Sequence, residues 1–431
     1  MKTTTFTKLT AGITLSLIAS TMLHATNGDT LIAVGAKSRG MGGTGIGISH
    51  GAESTLANPA MITTIEGTEI SFGGTVFMPD VSSGFANTTL GVPATLTSSD
   101  ADMNMIPEVS LAHKINDNWY IGIGMWGTAG MGVDYRDAGV TNGQNVNMHM
   151  VTNLQLMQFA VPVAYKTGGL SVAVAPILQY GNLDIDYDGA LVAGVNAPAA
   201  ITPANLIPAQ AGAGLAQDFG FGWSAGASYD FDNGLTVGAV YKSSITMDYN
   251  GQLSVATAPF APFLGTALGD KLEQPAEYGL GLSYVMGQHT FAFDWKRIKW
   301  SSATGYKDFG WDDQNVYAFG YQFSQDNYAL RIGYNFASSA VVEQDGNTMA
   351  GATLNMFNLL GFPATEERHL TLGGTYAFTK QFSLDLAYVH AFNEKTTYST
   401  AAFQTLSNYN PNQITTEHSE DSLSFQLTYA F

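Results

Sequence analysis

The chain ends in Leu423-Ser424-Phe425-Gln426-Leu427-Thr428-Tyr429-Ala430-Phe431, in which every second residue counted back from the last is apolar or aromatic. Successive side chains of a β-strand point to opposite faces, so this segment predicts a strand with one apolar face and one polar face. The apolar face suits contact with lipid, and the other face, with Thr428, Gln426 and Ser424, suits a polar interior.

The same alternation recurs along the chain, for example in Tyr328–Phe336 and Phe382–Tyr388, with aromatic residues at the segment ends. This pattern is typical of membrane-crossing strands with interfacial aromatic girdles. It predicts about fourteen strands, an even number as in bacterial barrels. The predicted strands lie near residues 69–79, 104–114, 118–130, 152–166, 169–184, 219–230, 234–250, 273–286, 289–300, 314–324, 327–337, 367–378, 381–393 and 421–431.

The connections between these strands alternate in length. Those after even-numbered strands are tight, whereas those after odd-numbered strands are mostly long: 80–103, 185–218, 251–272, 338–366 and 394–420. Short turns on one side and long loops on the other match the periplasmic and extracellular sides of a membrane barrel. A soluble β-sandwich has no reason to sort its loops in this way.

Composition supports the same conclusion. Hydrophobic residues make up 45% of the chain and charged residues 12%, about half the charge of a soluble domain. After the first 25 residues, no apolar run is long enough for a membrane helix. In hydrocarbon, strands satisfy their backbone groups only in a closed barrel. We therefore predict an all-β fold, a transmembrane antiparallel β-barrel of about fourteen strands over residues 68–431.

Residues 1–25 predict a secretory signal peptide, with Lys2 and Lys8, an apolar run over 9–19 and small residues ending at Ala25. The mature protein would be exported to the bacterial outer membrane, where we expect it to contact lipid and lipopolysaccharide as a monomer. The terminal Phe431 looks like the signal of outer-membrane barrels that is read by the barrel assembly machinery.

Residues 26–67 contain a glycine-rich stretch, Ser38–Gly47, which predicts irregular chain packed in a confined space. We interpret this N-terminal segment as a hatch, or plug, inside the barrel. The pattern Gly40-x-Gly42-x-x-Gly45 does not indicate a nucleotide site, because no buried strand precedes it and no helix follows it.

Several motifs, in their order and spacing, resemble the FadL/TodX family of outer-membrane transporters for hydrophobic compounds. The resemblance covers the whole mature chain and is carried by Asn58-Pro59-Ala60, Pro107, Phe219–Gly226, Leu235–Ile245, Pro275, Trp300-Ser301, Phe362-Pro363 and Arg368-His369-Leu370. It implies that ligand is caught between the external loops, enters the barrel past the hatch, and leaves sideways through the wall at a kinked third strand. By this resemblance, Asn58, Pro59, Ala60, Gly42 and Gly43 belong to the moving hatch.

Two long loops are apolar and uncharged over 189–217 and 252–269, which suggests a ligand-capturing surface or, alternatively, a lid. The candidate contacts are Leu191, Val192, Val195, Ile201, Leu206, Ile207, Phe260, Phe263, Leu264 and Leu268.

Glycines crowd the third strand, and Gly130 is the candidate kink for a side opening; alternatively, it makes room for the hatch. Alternation directs Arg331, Asp385, Asp294 and Lys296 into the lumen, where buried charges need partners. Arg331 is a candidate ligand contact. Asp385 matches a lumen acid of the family and is a candidate gating residue; alternatively, it belongs to a rigid ion-pair network.

Fatty-acid members of the family carry basic residues at the end of the fifth strand, where this chain has Gln179–Asp184. A neutral hydrocarbon or aromatic cargo is therefore favoured as an alternative to a long-chain fatty acid. The acidic net charge of −18 also favours a neutral cargo, because an acidic surface does not attract anions. Acidic loops could equally bind divalent cations between lipopolysaccharides. The alternative function is that of a water-filled porin, and that of a barrel enzyme is less favoured. The sequence predicts no catalytic residues, cofactor, metal site or nucleic-acid partner, because no motif for them occurs.

Overall fold

The computed structural model describes residues 27–141, 144–194 and 202–431. Within these residues, fourteen antiparallel strands form a closed barrel, as predicted. Closure is made by the first and last strands, which pair from Glu69 with Ala430 to Ala86 with Gln413. Among the described residues, no helix has the length and apolar character needed to cross a membrane.

The strands of the barrel are β1 (Thr68–Ala86), β2 (Asn104–Lys114), β3 (Trp119–Asp134), β4 (Val151–Ala160 and Val163–Thr167), β5 (Leu170–Val192), β6 (Ala216–Asp230), β7 (Leu235–Lys242), β8 (Glu277–Met286), β9 (His289–Ile298), β10 (Gln314–Gln325), β11 (Tyr328–Ala337), β12 (Arg368–Ala377), β13 (Phe382–Ser399) and β14 (Gln413–Ala430). Short strands in the loops are Thr97–Ser98, Val140–Thr141, Gln144–Asn145, Leu206–Gly212, Ile245–Asp248 and Lys271–Gln274.

The described helices are short and are not part of the barrel wall. The α-helices are α1 (Ala36–Arg39), α2 (Leu253–Thr257), α3 (Ala261–Leu264) and α4 (Met349–Leu360). The 3₁₀-helices are Gly51–Thr55, Pro59–Thr64, Thr88–Leu90, Val146–His149, Pro203–Asn205, Ala258–Phe260, Trp300–Ser302, Tyr306–Phe309 and Ala401–Thr405.

The side chains of the last strand alternate between the outer surface and the lumen, as predicted. Leu423, Leu427 and Tyr429 are exposed on the outer surface, whereas Gln426 and Thr428 are buried against the lumen. Only a strand with two different faces produces this pattern, because its side chains alternate between the lipid and the interior.

Four strands extend farther toward the loops than the sequence predicted. β1 and β13 run on to Ala86 and Ser399, β5 runs on to Val192, and β14 begins at Gln413. Their extensions still form ladders, for example Ser83 with Thr416. Beyond the hydrocarbon the outer face meets water, so apolar alternation is no longer required and the sequence signal fades.

Two predicted strands are interrupted near the loops. The segment predicted as 234–250 breaks after Lys242, and the one predicted as 273–286 breaks before Glu277, next to Pro275, which has no amide proton for the ladder. Beyond the breaks, Ile245–Asp248 and Lys271–Gln274 pair as a separate ribbon. The side chains of Ile245 and Met247 are buried in the interior.

The N-terminal segment lies inside the barrel, in contact with the lumen face of the wall. Residues 27–67 are called the hatch below. Gly40 in the hatch approaches Gly373 of β12 so closely that a Cβ on Gly40 would lie 2.9 Å from the Gly373 Cα. The predicted signal peptide lies outside the described residues.

Candidate functional site

The hatch is fastened by wall side chains that accept hydrogen bonds from its backbone. Asp294 on β9 accepts from the amides of Gly45 at 2.7 Å and Ile46 at 2.8 Å. Glu108 on β2 accepts from the Gly35 amide at 2.9 Å. A carboxylate that accepts backbone N–H groups makes stronger hydrogen bonds than a neutral acceptor. The glycine-rich chain therefore holds its irregular path because wall groups satisfy its donors.

Gly42 shows why glycine is needed in this segment. Its φ is +71°, and a Cβ at this position would lie 2.6 Å from the carbonyl oxygen of Phe319. Its amide donates to Thr371 on β12 at 2.9 Å. Gly43 also has a positive φ, of +88°. A side chain at Gly42 would force the hatch away from the wall, because the nearest atoms belong to the backbone.

Asn58-Pro59-Ala60 forms the start of the 3₁₀-helix Pro59–Thr64. The Asn58 side chain accepts a hydrogen bond from the Ala60 amide at 3.1 Å and so caps the helix. Its Nδ2 donates to the Ile46 carbonyl at 2.8 Å and to the Ala227 carbonyl of β6 at 3.2 Å. One side chain therefore joins two parts of the hatch to the wall.

Asp385 links the wall to the hatch, as the gating hypothesis requires. Its carboxylate lies 3.4 Å from Arg331 Nη1 and 3.9 Å from Lys37 Nζ in the hatch. Arg331 also donates to Gln322 at 2.6 Å. The structure thus places Arg331 beside Asp385 and Lys37, and Arg331 does not line the cavity described next. Its candidate role as a ligand contact has no support from this position.

A cavity of about 90 Å³ lies between the hatch and the wall of β7–β11. Much of its lining is apolar, including Leu31, Ile32, Val34, Ile46, Val240 and Val316. Its polar lining includes Lys242, Lys296 and Glu277. Lys242 Nζ lies 3.1 Å from one Glu277 oxygen, and Lys296 Nζ lies 3.8 Å from the other. Two ammonium groups therefore flank one carboxylate, and the carboxyl groups of Asp294 and Glu53 also line the cavity.

The barrel wall has a gap between β2 and β3. Their ladder ends at the pair Glu108 and Trp126, although β3 continues to Asp134. Above the gap the chain closes again, where the Asp100 amide donates to the Asp134 carbonyl at 2.9 Å. We call the β3 stretch 127–133 and the opening beside it the window.

The irregularity in β3 lies at Thr128 and not at Gly130. The register between β3 and β4 shifts between Gly127 and Ala129, which marks a β-bulge. The prediction of a kink at Gly130 was therefore two residues off. A bulge depends on the count of residues on both strands, so the glycine pattern of β3 alone did not locate it.

The start of the hatch occupies the window. The Leu31 amide donates to the Thr128 carbonyl at 3.1 Å, and the Gly130 amide donates to the Asp29 carbonyl at 2.9 Å. Thr30 and Ala129 form an antiparallel bridge between these bonds. Residues 29–31, called the strap below, thus take the place of β2 along this part of β3.

The strap is anchored from the other side through Asp29. The Asp29 carboxylate accepts hydrogen bonds from Gln274 at 2.6 Å and from the Tyr306 hydroxyl. Burial raises the pKa of Asp29 to about 6, although hydrogen bonds from Tyr306 and Gln274 oppose this rise. Tyr306 packs edge-to-face on Trp300, with ring centroids 4.7 Å apart. The strap is therefore connected to the aromatic residues of the loop between β9 and β10.

The predicted loop contacts form a closed apolar cluster with α4, called the cap below. Phe260 is 1% exposed, and its ring lies 5.3 Å from Phe357 of α4 and 6.3 Å from Tyr187. The predicted residues that belong to this cluster as buried or partly buried members are Leu191, Ile207, Phe260, Phe263, Leu264 and Leu268. Val192 is buried and Leu206 half-buried, and Val195 and Ile201 lie outside the described residues.

Helix α4 was not predicted from the sequence. Thr348 caps it by accepting a hydrogen bond from the Gly351 amide at 3.0 Å, and Gly361 follows its last residue. Threonine before an apolar run and glycine after it are helix start and stop signals, so this pattern was available. Most α4 residues are buried because the helix lies within the cap.

A closed antiparallel β-barrel of fourteen strands is the fold of a multi-pass outer-membrane protein. The model of the family described as "Outer membrane protein transport protein (OMPP1/FadL/TodX)" matches residues 18–431. The chain belongs to this family. Since the family consists of transport proteins, the chain is not classed as an enzyme.

Relatives and solved structures agree with this assignment. The 47 kDa outer membrane protein of Pasteurella multocida is 22% identical over 82% of this chain and 86% of its own length. The long-chain fatty acid transport protein of Escherichia coli K12 is 24% identical over 91% and 94%. The crystal structure of the P. putida toluene transporter TodX has a TM-score of 0.63 at 17% identity, covering 93% of this chain and 99% of that one. A Pseudomonas aeruginosa FadL homologue has a TM-score of 0.66 at 15% identity, over 96% and 100%.

Proposed function

We propose that this protein carries hydrophobic compounds passively through the outer membrane and releases them sideways into the bilayer. Cargo is captured at the cap, enters the cavity between hatch and wall, and leaves through the window after the strap moves. The observation that carries the proposal is the early end of the β2–β3 ladder at Glu108 and Trp126, with the strap in place of the missing pairing.

The window suits an exit because its closure is local. The strap bonds to β3 over three residues, whereas neighbouring wall strands are held by ladders of seven or more pairs. Ile106 of β2 lies across the gap, where a Cβ on Gly127 would be 2.5 Å from its Cγ2. Moving the strap and one side chain would open the wall without breaking a barrel ladder.

The cavity supports an amphipathic cargo with a carboxylate. Its apolar lining suits a hydrocarbon chain, and Lys242 and Lys296 provide the cations that the end of β5 lacks. Asp294 also faces the cavity, but the amides of Gly45 and Ile46 already bond to it. A long-chain fatty acid is therefore the proposed cargo. A neutral aromatic is the second candidate, because Gln179 and Asn182 of β5 offer a carboxylate no positive charge.

The experiment compares palmitate with hexadecanol, which has the same chain length and no charge. In detergent, K242Q/K296Q should bind palmitate about tenfold more weakly, equivalent to about 1.4 kcal/mol, and hexadecanol with unchanged affinity. The matched control is K271Q/K380Q, which removes the same charge from exposed positions. Because the double variant leaves Glu277 without its cations, the variant K242Q/E277Q, which keeps one lysine and loses the carboxylate, checks that any loss is not misfolding.

Three results separate the candidates. Equal loss of palmitate and hexadecanol would refute the carboxylate assignment. Binding of a neutral aromatic such as toluene without palmitate would make the protein a hydrocarbon channel. Binding of none of these compounds, with ion conductance in a planar bilayer, would identify a porin.

A further inference from the structure

Two histidines and two glutamates come together near the loop end of the barrel, away from the cavity and the window. Glu366 lies in the chain between α4 and β12, His369 lies near the start of β12, and His418 and Glu420 lie on the lumen face of β14. Each of the four is at most 3% exposed. Potential ligand atoms of Glu366, His418 and Glu420 all lie within 4.8 Å of one another.

His418 is at the centre of this cluster. Its Nδ1 contacts a Glu366 oxygen and lies 2.8 Å from the Pro363 carbonyl oxygen, and its Nε2 lies 3.5 Å from a Glu420 oxygen. His369 Nε2 lies 3.9 Å from the other Glu420 oxygen. Carboxylates and imidazoles therefore alternate, as they do around a shared cation.

The strand register brings His369 and Glu420 together. His369 is paired with Ala391 of β13, and Ala391 is paired with Glu420 of β14. Neighbouring strands lie about 4.8 Å apart, so the two backbones are about 9.6 Å apart. Ala391 is fully buried between them, and its methyl group leaves the space in which the longer side chains meet.

Hydrogen bonds among the described residues do not satisfy the imidazole of His369. Neither of its ring nitrogens has a hydrogen-bond partner there. Leaving a buried polar group without a partner destabilises a fold. Such a group beside other potential ligand atoms indicates that a ligand binds between them.

We propose that Glu366, His369, His418 and Glu420 bind one divalent transition-metal cation of the zinc type. Imidazole nitrogens and carboxylate oxygens are ligands of zinc, with about 2.1 Å from metal to ligand and so about 3.4 Å between ligands in a tetrahedral site. The observed separations of 3.5, 3.9 and up to 4.8 Å need only small side-chain rotations to reach this geometry.

The cation would fasten the α4 loop to the wall. Glu366 belongs to the chain that leaves α4, while His369, His418 and Glu420 belong to the barrel. The last turn of α4 is already held by Thr416, which donates to the Leu359 carbonyl at 2.6 Å. The metal would add a second attachment six residues farther on and make the position of the cap dependent on metal.

The experiment is Zn²⁺ titration of the EDTA-stripped full-length protein in detergent, with bound metal counted by mass spectrometry and thermal unfolding followed with and without Zn²⁺. Wild type should bind one Zn²⁺ per chain at micromolar concentration or below and gain several degrees in unfolding midpoint. E366Q/H418N should lose at least 100-fold in affinity and lose the gain in midpoint. H390N/D421N is the matched control, because it removes a histidine and an acid from an exposed pair 2.9 Å apart and should behave as wild type.

If E366Q/H418N does not fold, the single variant H369N tests the proposal instead. Its replacement should not disturb the fold, because His369 makes no hydrogen bond to the described residues. It should weaken Zn²⁺ binding at least tenfold. Binding of Zn²⁺ by H369N with wild-type affinity, or absence of stoichiometric binding by wild type, would overturn the proposal. Equal loss in H390N/D421N would place the metal at the exposed pair and would also overturn it.

Discussion

The hatch and the cap both fill the barrel, but they are held by different interactions. The hatch is fixed by hydrogen bonds from its backbone to wall side chains such as Asp294 and Glu108. The cap is fixed by apolar and aromatic packing around Phe260 and Phe357. Hydrogen bonds are directional, so each one is either formed or broken. Apolar packing is not directional, so another apolar group can replace the one that is packed there. This difference fits a cap that admits cargo and a hatch that switches.

The largest expected effect comes from locking the strap. The chain has no cysteine, so T30C/A129C introduces one pair, at positions bridged in the structure. Oxidation of this pair should reduce uptake of a hydrophobic probe more than tenfold, because the strap can no longer leave the window, and reduction should restore it. S71C/T428C, a bonded pair in the β1–β14 wall, is the control. Unchanged uptake in the oxidised strap variant would exclude exit through the window.

A second, smaller effect tests the cap. F260A removes a buried ring and should cost about 3–4 kcal/mol of local packing. If the cap captures cargo, binding in detergent should weaken about tenfold while the barrel stays folded. F319A, at an exposed outer position, is the control and should bind normally. Faster uptake with unchanged affinity would show instead that the cap is a lid.

A third prediction concerns the hatch anchor. D294A leaves the amides of Gly45 and Ile46 without their acceptor, at a cost of about 2–3 kcal/mol. Hydrogen exchange over residues 42–49 should accelerate roughly 30- to 150-fold, as that energy implies. E394A, which removes a half-buried acid of β13 that pairs with Arg368, should leave this exchange unchanged. Protection equal to wild type in D294A would mean that packing, and not hydrogen bonding, holds the hatch.

The smallest effect is a pH dependence at Asp29. Because burial raises the pKa of Asp29 to about 6, the folded protein binds a proton there more tightly than the unfolded chain. The free energy of unfolding should therefore rise as the pH falls from about 7 to about 4. D29N lacks this contribution. Over the same pH range, its unfolding midpoint should therefore change by a few degrees less than that of wild type. Identical pH profiles would show that Asp29 does not titrate in this range.

Sequence patterns predicted the barrel because alternation is a local property of each strand. They also directed Asp385 and Asp294 into the lumen, where both now contact the hatch. Other features depend on register between distant strands. Lys242 and Glu277 meet because β7 and β8 pair at those positions, and no spacing along the chain indicates this.

The bulge at Thr128 and the histidine cluster were missed for the same reason. A bulge is a mismatch between two strands, and His369 and His418 are far apart in the chain. The strap was missed because two hydrogen bonds to β3 leave no periodic pattern. Sequence thus defined the strands and their faces, and the structure was needed to locate sites built between strands.

In the proposed mechanism, the unequal heights of the strands separate where cargo enters from where it leaves. β5 has 23 residues and β1 has 19, whereas β8, β9, β11 and β12 have 10 each. About ten residues cross a bilayer, so half of β5 stands above the hydrocarbon as a collar. The cap sits on this collar, at the level of the hydrated sugars and phosphates outside the membrane. By the proposed route, cargo that binds there would not yet have met lipid, and the protein would connect a water-rich layer directly to the hydrocarbon beneath it.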